Sequence, residues 1–484
     1  MLFNSFHFLI FFPIVTLVYF LLPHRFRWLH LLVASCIFYM AFIPAYILIL
    51  FVTIVVDYIA GIMIEREFGK KRRLYLILSI VVNLGFLGFF KYYNFFIENV
   101  EAIFRMLHIA THTLPYLNII LPIGLSFHTF QAMSYTIEVY RGNQKAESHF
   151  GIYALYVMFY PQLVAGPIER PQNMLHQFKI EHKFDSLNLM MGLRLMLWGL
   201  FKKLVIADRL SIYVTQVYNA PGDWHYINIL IAILFFSIQI YCDFSGYSDI
   251  ALGSAQTMGF KLMTNFNRPF LYSTSITEFW RRWHISLYSW FNDYLYTPLA
   301  LSFRDYGKWG IAAAVSITFL LSGLWHGAKW TFVIWGLMHA IALVYEMFTK
   351  KARKKLSKKV NTFLYDKASL LITFIILNFI WIFFRANSLE DAFTILRYVF
   401  TLNHKVAFKS EMSVMSSGIV FGRLSVYVSI IMTVFMFLVE SNVKVDLTDF
   451  NDRPILNIIF STFVLTMIVL FGVFNSNSFI YFQF

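Results

Sequence analysis

Thirteen apolar stretches punctuate this chain, near residues 6–22, 28–43, 45–64, 74–93, 115–136, 151–166, 187–217, 226–255, 311–325, 330–348, 368–386, 424–440 and 455–473. About 20 apolar residues suffice for a helix to cross the hydrocarbon core, so most of these stretches qualify and a few are short. Their number rules out a water-soluble globule with one anchor. Composition agrees: 59% of residues are apolar and mean hydropathy is +0.63, against roughly half apolar in soluble domains. In lipid every backbone polar group must be satisfied within its own segment, which makes each stretch a helix. The expectation is an all-α polytopic bundle of about eleven to twelve helices. The first stretch, Phe6–Leu22, lacks a basic leading region and a small-residue cleavage site, so it reads as a retained helix rather than a signal peptide.

The formal charge of +14 would suggest nucleic acid in a soluble protein. Here the basic residues cluster between apolar stretches, which places them in cytoplasmic loops beside anionic lipid and leaves no nucleic-acid role. His24-Arg25-Phe26-Arg27 follows the first stretch, which puts the N-terminus outside. Lys70-Lys71-Arg72-Arg73 and the run Lys350–Lys359 should both be cytoplasmic. About seven apolar segments separate those two runs, yet a shared side requires an even number of crossings. One segment must therefore be re-entrant or lie in the membrane plane. The best candidate is 187–217, with Arg194, Lys202, Lys203, Asp208 and Arg209, since an interfacial helix accommodates such charges. Re-entrant backbone needs protein or a wet cavity to cover it, so the count itself implies a cavity. Cys36 and Cys242 form neither a disulfide framework nor a metal site. No transporter-type repeat is evident, the loop 387–423 reads as an extracytoplasmic lid or docking surface, and the aromatic tail Phe479–Phe484 suits the interface belt.

Four stretches carry candidate chemistry. Ser322-Gly323-Leu324-Trp325-His326-Gly327-Ala328 sets an imidazole between glycines at membrane depth. Such a group either serves as a general base in a tunnel or hydrogen-bonds a neighbouring helix. In the second, Glu278 to Tyr294, a continuous helix places Trp280, His284, Leu287, Trp290 or Phe291, and Tyr294 on one face, with Arg281, Arg282, Ser289 and Asn292 elsewhere. The arginine pair either receives donor phosphates or anchors the segment to headgroups. The third, Tyr241 to Asp249, holds Asp243 and Ser245 in an apolar block. Asp243 can orient an imidazole or hold an arginine, and a structural role weighs more; no nucleophile elbow surrounds Ser245. The fourth, Val164 to Pro171, reads as a loop containing Glu169 and Arg170. His128 and His339 read as packed, hydrogen-bonded residues. No zinc-protease helix, P-loop or dinucleotide fingerprint is present.

Taken together and in order, Gly166-Pro167-Ile168, Asp243 to Asp249, Trp280 to His284, Asp293-Tyr294-Leu295-Tyr296, Trp325-His326-Gly327 and the Phe-Ile-Tyr-Phe tail resemble the membrane-bound O-acyltransferase superfamily, and within it the alginate O-acetyltransferase branch. The resemblance implies a single integral-membrane domain over 1–484, with N-terminal helices to about 110, a catalytic core at 111–349 and C-terminal helices from 350, enclosing a tunnel. It makes His326 the catalytic histidine and His284 its polar partner, where lipid-modifying relatives carry asparagine. Arg281, Arg282, Trp283, Trp325, Asp243, Ser245 and Asn292 become the substrate-binding set. It implies no metal and no bound cofactor, acetyl-coenzyme A as donor, an extracytoplasmic polysaccharide as acceptor, a periplasmic esterase-fold partner, and the bacterial inner membrane as location. Three alternatives stay open: D-alanyl transfer, a carrier or flippase for acetyl groups or lipid-linked glycans, and a scaffold that recruits a transferase. The C-terminal segments 424–440 and 455–473 exceed the D-alanyl branch in length and favour acetyl.

Overall fold

The computed structural model of the chain describes residues 1–108, 115–118, 121–164, 166–402, 422–442, 454–474 and 479–480, the side chains of 422–426, 442 and 454 excepted. Most of the loop 387–423 and the last four residues of the aromatic tail lie outside the described residues. Helix is the regular structure throughout, with no strand among the described residues. Six stretches are long and apolar enough to cross a membrane: Pro44–Arg66, Gly69–Met106, Tyr226–Thr257, Arg304–His326, Trp330–Ser357 and Thr362–Arg385. Phe6–Leu21, Tyr427–Ser441 and Ile455–Phe471 are apolar but shorter.

The described residues form two compact units, Met1–Gly192 with Ser254–Met263, and Leu193–Gly253 with Thr264–Phe484. In the first, α1 (Phe6–Leu21), α2 (His24–Met40) and α3 (Ile47–Arg66) precede α4 (Gly69–Leu87), which passes through a π turn at Gly88–Tyr92 into α5 (Tyr93–Met106). Helix α6 (Leu125–Arg141) packs on α3 and α4. Their shared interior is polar: Asp57 accepts from Ser79 Oγ at 2.6 Å and from Asn83 Nδ2 at 2.8 Å, and Ser79 bonds Thr136 at 2.9 Å. A carboxylate at this depth is tolerable because donors surround it. His128 is packed as expected, 2.6 Å from Thr53 Oγ1.

The stretch 151–166 is no span. Helix α7 (Phe150–Met158) has nine residues, all but the first buried, and reaches only ~14 Å. Pro161 then opens the short α8 (Tyr160–Leu163), since proline fits a first turn. Beyond it comes α9 (Pro171–Met174). The turn between them is more than a loop: Glu169 is fully buried and accepts from Met263 N at 2.5 Å and Asn173 Nδ2 at 2.6 Å.

Helix α10 (Ser186–Phe201), which enters the second unit at Leu193, continues through a π turn at Lys202–Ala207 into α11 (Asp208–Asn219), and α12 (Tyr226–Thr257) follows, in that unit as far as Gly253. The expectation that 187–217 turns its charges to an interface is corrected here. Lys202, Lys203, Asp208 and Arg209 are each at most 3% exposed. Gly199 and Gly246 let α10 and α12 touch backbone to backbone; a Cβ on Gly246 would stand 2.7 Å from Gly199 O. Asp243, Gly246 and Asp249 share one face of α12, three residues apart. That face meets Gly199, Lys202 and Lys203. Lys202 Nζ lies 2.6 Å from Asp249, and Lys203 Nζ lies 2.7 Å from Asp243 and 2.8 Å from Asp208. Lys202 and Lys203 are buried because α12 supplies their counter-charges, with Asp208 sharing Lys203.

The remaining elements are α13 (Pro269–Tyr272), α14 (Ile276–Trp280), α15 (Ile285–Phe291), α16 (Thr297–Ser302), α17 (Gly307–His326), α18 (Trp330–Ser357), α19 (Thr362–Arg385), α20 (Leu389–Phe400), α21 (Gly422–Asn442) and α22 (Pro454–Phe471).

Candidate active site

His326 is the last residue of α17, and Gly327 leaves the helix in an extended conformation. Where α17 runs against α18, Gly323 and Gly336 sit with no side chain between them. A Cβ on either would collide with carbonyl oxygens, of Phe332 and Phe319 respectively. This close approach sets the His326 ring, 4% exposed, among aromatic rings. Centroid distances are 4.9 Å to Trp325, 4.9 Å to Trp335 and 5.4 Å to Phe384.

His284 reaches the same region by a different route. The run Glu278–Tyr294 is not the continuous amphipathic helix expected from its periodicity. Ser275 caps α14 by accepting from Glu278 N at 3.1 Å, a serine-to-glutamate capping pattern. Glu346 of α18 holds the same helix start, accepting from Ile276 N at 2.6 Å and Thr277 Oγ1 at 2.7 Å. The helix then stops, and His284 takes a left-handed conformation, φ 45° and ψ 53°, before α15. For a residue with a Cβ this conformation stores about 1–3 kcal/mol. Asn265 holds it: its carbonyl oxygen accepts from Ile285 N at 3.0 Å, and its Oδ1 accepts from Ser286 N at 3.2 Å and Ser286 Oγ at 2.6 Å.

The break turns His284 inward, fully buried. Its ring centroid is 4.6 Å from Phe244 and 6.3 Å from Trp325. Trp325 therefore touches both histidines. His284 lies outside the six spans, and burial pushes its pKa down to about 3, which keeps the ring neutral.

A cavity of about 250 Å³ opens between the 277–296 segment and α17 and α18, lined by Trp280, Phe291, Asn292, Thr318, Phe319 and Ser322 among others. Ser322 is one helical turn before His326. The walls are mainly apolar, with hydroxyl and amide groups from Thr318, Ser322 and Asn292, the composition typical of a small-molecule pocket.

Of the expected site residues, His326, His284 and Trp325 come together, and Asn292 lines the cavity. The other expected residues make contacts of their own. Arg282 Nε donates to Glu278 Oε1 at 2.7 Å and its guanidinium stands over Tyr272. The Arg281 side chain is 65% exposed. Trp283 stacks on Phe279 with centroids 5.3 Å apart. Among the described residues Asp243 neither orients an imidazole nor holds an arginine; beyond Lys203 it accepts from Ile480 N at 2.8 Å. Ser245 is buried beside it on α12, its Oγ without a hydrogen-bond partner among the described residues. Among the described residues no cluster of three metal-ligating groups occurs.

Sequence reasoning missed Asn265 and Glu346, and took the Lys202–Lys203 pair for interfacial charges. Only Glu346 had a readable counterpart, in the Ser275–Glu278 capping pattern it completes. His339 was read correctly as packed: Trp280 Nε1–H donates to its Nδ1 at 3.3 Å.

Comparison with known proteins gives the family. The membrane-bound O-acyltransferase family model matches residues 143–390, which include both histidines. A peptidoglycan O-acetyltransferase of Helicobacter pylori is 35% identical over 81% of this chain and 78% of its own. A probable alginate O-acetylase of Pseudomonas aeruginosa is 36% identical over 83% of this chain and 75% of its own. A teichoic acid D-alanyltransferase of Bacillus subtilis is 30% identical over 51% of this chain and 64% of its own. With a buried histidine pair beside an apolar cavity in a bundle of membrane-length helices, the chain belongs to the membrane-bound O-acyltransferase family and is a multi-pass membrane O-acyltransferase.

Proposed function

We propose that this enzyme moves an acetyl group from acetyl-coenzyme A on the cytoplasmic side to hydroxyls of an extracytoplasmic polysaccharide. It would do so in a bacterial inner membrane, with its N-terminus outside and the whole chain acting as one functional domain. A periplasmic esterase-fold partner would complete delivery to polymer. The observation that carries this reading is His326, buried among aromatic rings one turn beyond the wall of an apolar cavity.

The chemistry balances with the residues present. The acceptor hydroxyl oxygen bonds to the thioester carbonyl carbon while its proton passes to His326. The carbonyl electron pair moves onto oxygen, then returns as the carbon–sulfur bond breaks. The departing thiolate takes the proton back from the imidazolium. General-base assistance of this kind is worth about 10²–10⁴-fold in rate. His284, neutral and aligned through Trp325, would position the thioester or donate to the developing oxyanion. Both arginines pair with Glu278, Arg282 at 2.7 Å and Arg281 at 4.0 Å; the loosely held, exposed Arg281 would be the one to meet donor phosphates or headgroups.

Acetyl rather than D-alanyl transfer is favoured by coverage. The O-acetylating relatives match over 81% and 83% of this chain, the D-alanyltransferase over 51%. The test is mass spectrometry of cell-envelope glycans from a deletion strain, complemented with wild type or His326→Ala. Loss of O-acetyl groups that only wild type restores supports the proposal. Unchanged acetylation, or restoration by both, refutes it.

A further inference from the structure

Three successive turns of α18 bury polar groups on one face beside His326. Thr331 is 2% exposed, Trp335 2% and His339 0%. Thr331 Oγ1, Trp335 Nε1 and His339 Nε2 each lack a hydrogen-bond partner among the described residues. An indole N–H can only donate, so the Trp280 bond fixes His339 Nδ1 as an acceptor and puts the imidazole proton on Nε2. The face therefore carries three donors in a row with no acceptor among the described residues. A buried donor left unmade is costly, and native structures hold few of them. Three on one face point to an acceptor that arrives with the substrate.

The middle donor is the best placed. The Trp335 ring stands edge-on to His326, with centroids 4.9 Å apart and planes at 81°, and edge-on to His339 at 4.7 Å and 74°. Trp280, which fixes His339, is also a wall of the cavity. The indole is thus clamped between two imidazoles, one beside the reacting hydroxyl and one anchored to the cavity wall.

We propose that Trp335 Nε1–H, with the Thr331 hydroxyl one turn before it, receives the carbonyl oxygen of the acyl group during transfer, and that His339 is a positioning residue for Trp335. This rests on the reading of His326 as the base for attack on a thioester. As the hydroxyl adds, negative charge builds on the carbonyl oxygen, and a preorganised donor there lowers the barrier without reorganisation. His284 is then left to position the thioester.

The test uses the full-length enzyme in detergent with acetyl-coenzyme A labelled with carbon-13 at the carbonyl. Isotope-edited infrared spectra are compared for His326→Ala and for His326→Ala combined with Trp335→Phe. Phenylalanine keeps a six-membered aromatic ring and removes the N–H together with the five-membered ring that carries it, so the near-isosteric Thr331→Val change serves as the control for lost volume. The expected result is a bound carbonyl stretch that moves to higher frequency when the indole donor is lost. Thr331→Val should raise it as well, and Thr331→Ser should not. With His326 intact, Trp335→Phe should lower kcat about 10²-fold and change KM by less than about twofold. A carbonyl band in the same place with and without the indole N–H overturns the proposal, as does an unchanged kcat. Should Trp335→Phe not fold, the Thr331 variants decide by the same band. Full turnover by His326→Ala would instead sink the general-base reading, and the band comparison would still decide the donor.

Discussion

Lys203 is the side chain whose removal the structure prices most clearly. Its ammonium stands 2.8 Å from Asp208 and 2.7 Å from Asp243, and the three side chains are 1%, 3% and 4% exposed. At an effective dielectric of about 20, each contact is worth about 6 kcal/mol. That is the order of the cost of burying the ions, so the intact cluster contributes little net stability. Lys203→Met leaves two carboxylates buried with the shared cation gone, which costs about 3–5 kcal/mol. The combined variant Lys203→Met, Asp208→Asn, Asp243→Asn removes the charges together and should recover most of that loss. Thermal melting in detergent measures both, and acetyl transfer by the combined variant adds a functional reading. Structural Asp243 predicts that transfer survives once stability is restored. A Lys203→Met protein that melts like wild type would refute the energetic reasoning. A stable combined variant without activity would return Asp243 to substrate binding.

Three further outcomes follow from the site. Gly336→Ala gains helix propensity of up to about 1 kcal/mol, but its methyl group meets the rigid Phe319 carbonyl. It should therefore force α17 from α18 at a net cost of about 1–3 kcal/mol and slow transfer more than it lowers melting; equal activity would contradict the glycine contact. Asn265→Ala removes the acceptor for Ser286 N and Oγ and should lower kcat, whereas Asn265→Asp, which keeps an acceptor, should restore it. Burial holds folded His284 near pKa about 3, against about 6.5 unfolded. The unfolded chain takes the proton first as pH falls. The stability present above pH about 6.5 is therefore lost toward pH about 3, at up to ~1.4 kcal/mol per pH unit. Melting temperatures of wild type and His284→Gln should diverge above pH 6 and converge in acid; parallel curves would contradict the burial.

What the sequence made legible is what short range controls. Apolar length gave the helices, and an imidazole between glycines at Gly323-Leu324-Trp325-His326-Gly327 gave the candidate base, which the structure places beside the cavity wall. Residues brought together by tertiary packing were harder. Asp243 and Asp249 stood out as buried carboxylates, but their cations come from another helix through the Gly199–Gly246 contact. Read alone, Lys202 and Lys203 looked like an interfacial face. A helical wheel put His284 on an apolar face correctly, for an incorrect reason. The helix breaks at that residue, and the stabilising Asn265 lies in a preceding loop with no periodic signal. The stretch 151–166 had the composition of a span, yet Pro161 and burial on all sides made it a short internal helix.

The most direct measurement is transfer of labelled acetyl from acetyl-coenzyme A to envelope glycan in reconstituted membranes, comparing wild type with His326→Ala and His326→Gln at equal folded protein. A general base at the end of α17 predicts turnover lower by about 10²–10⁴-fold in both variants with thioester binding retained. Turnover equal to wild type in either variant would contradict the account.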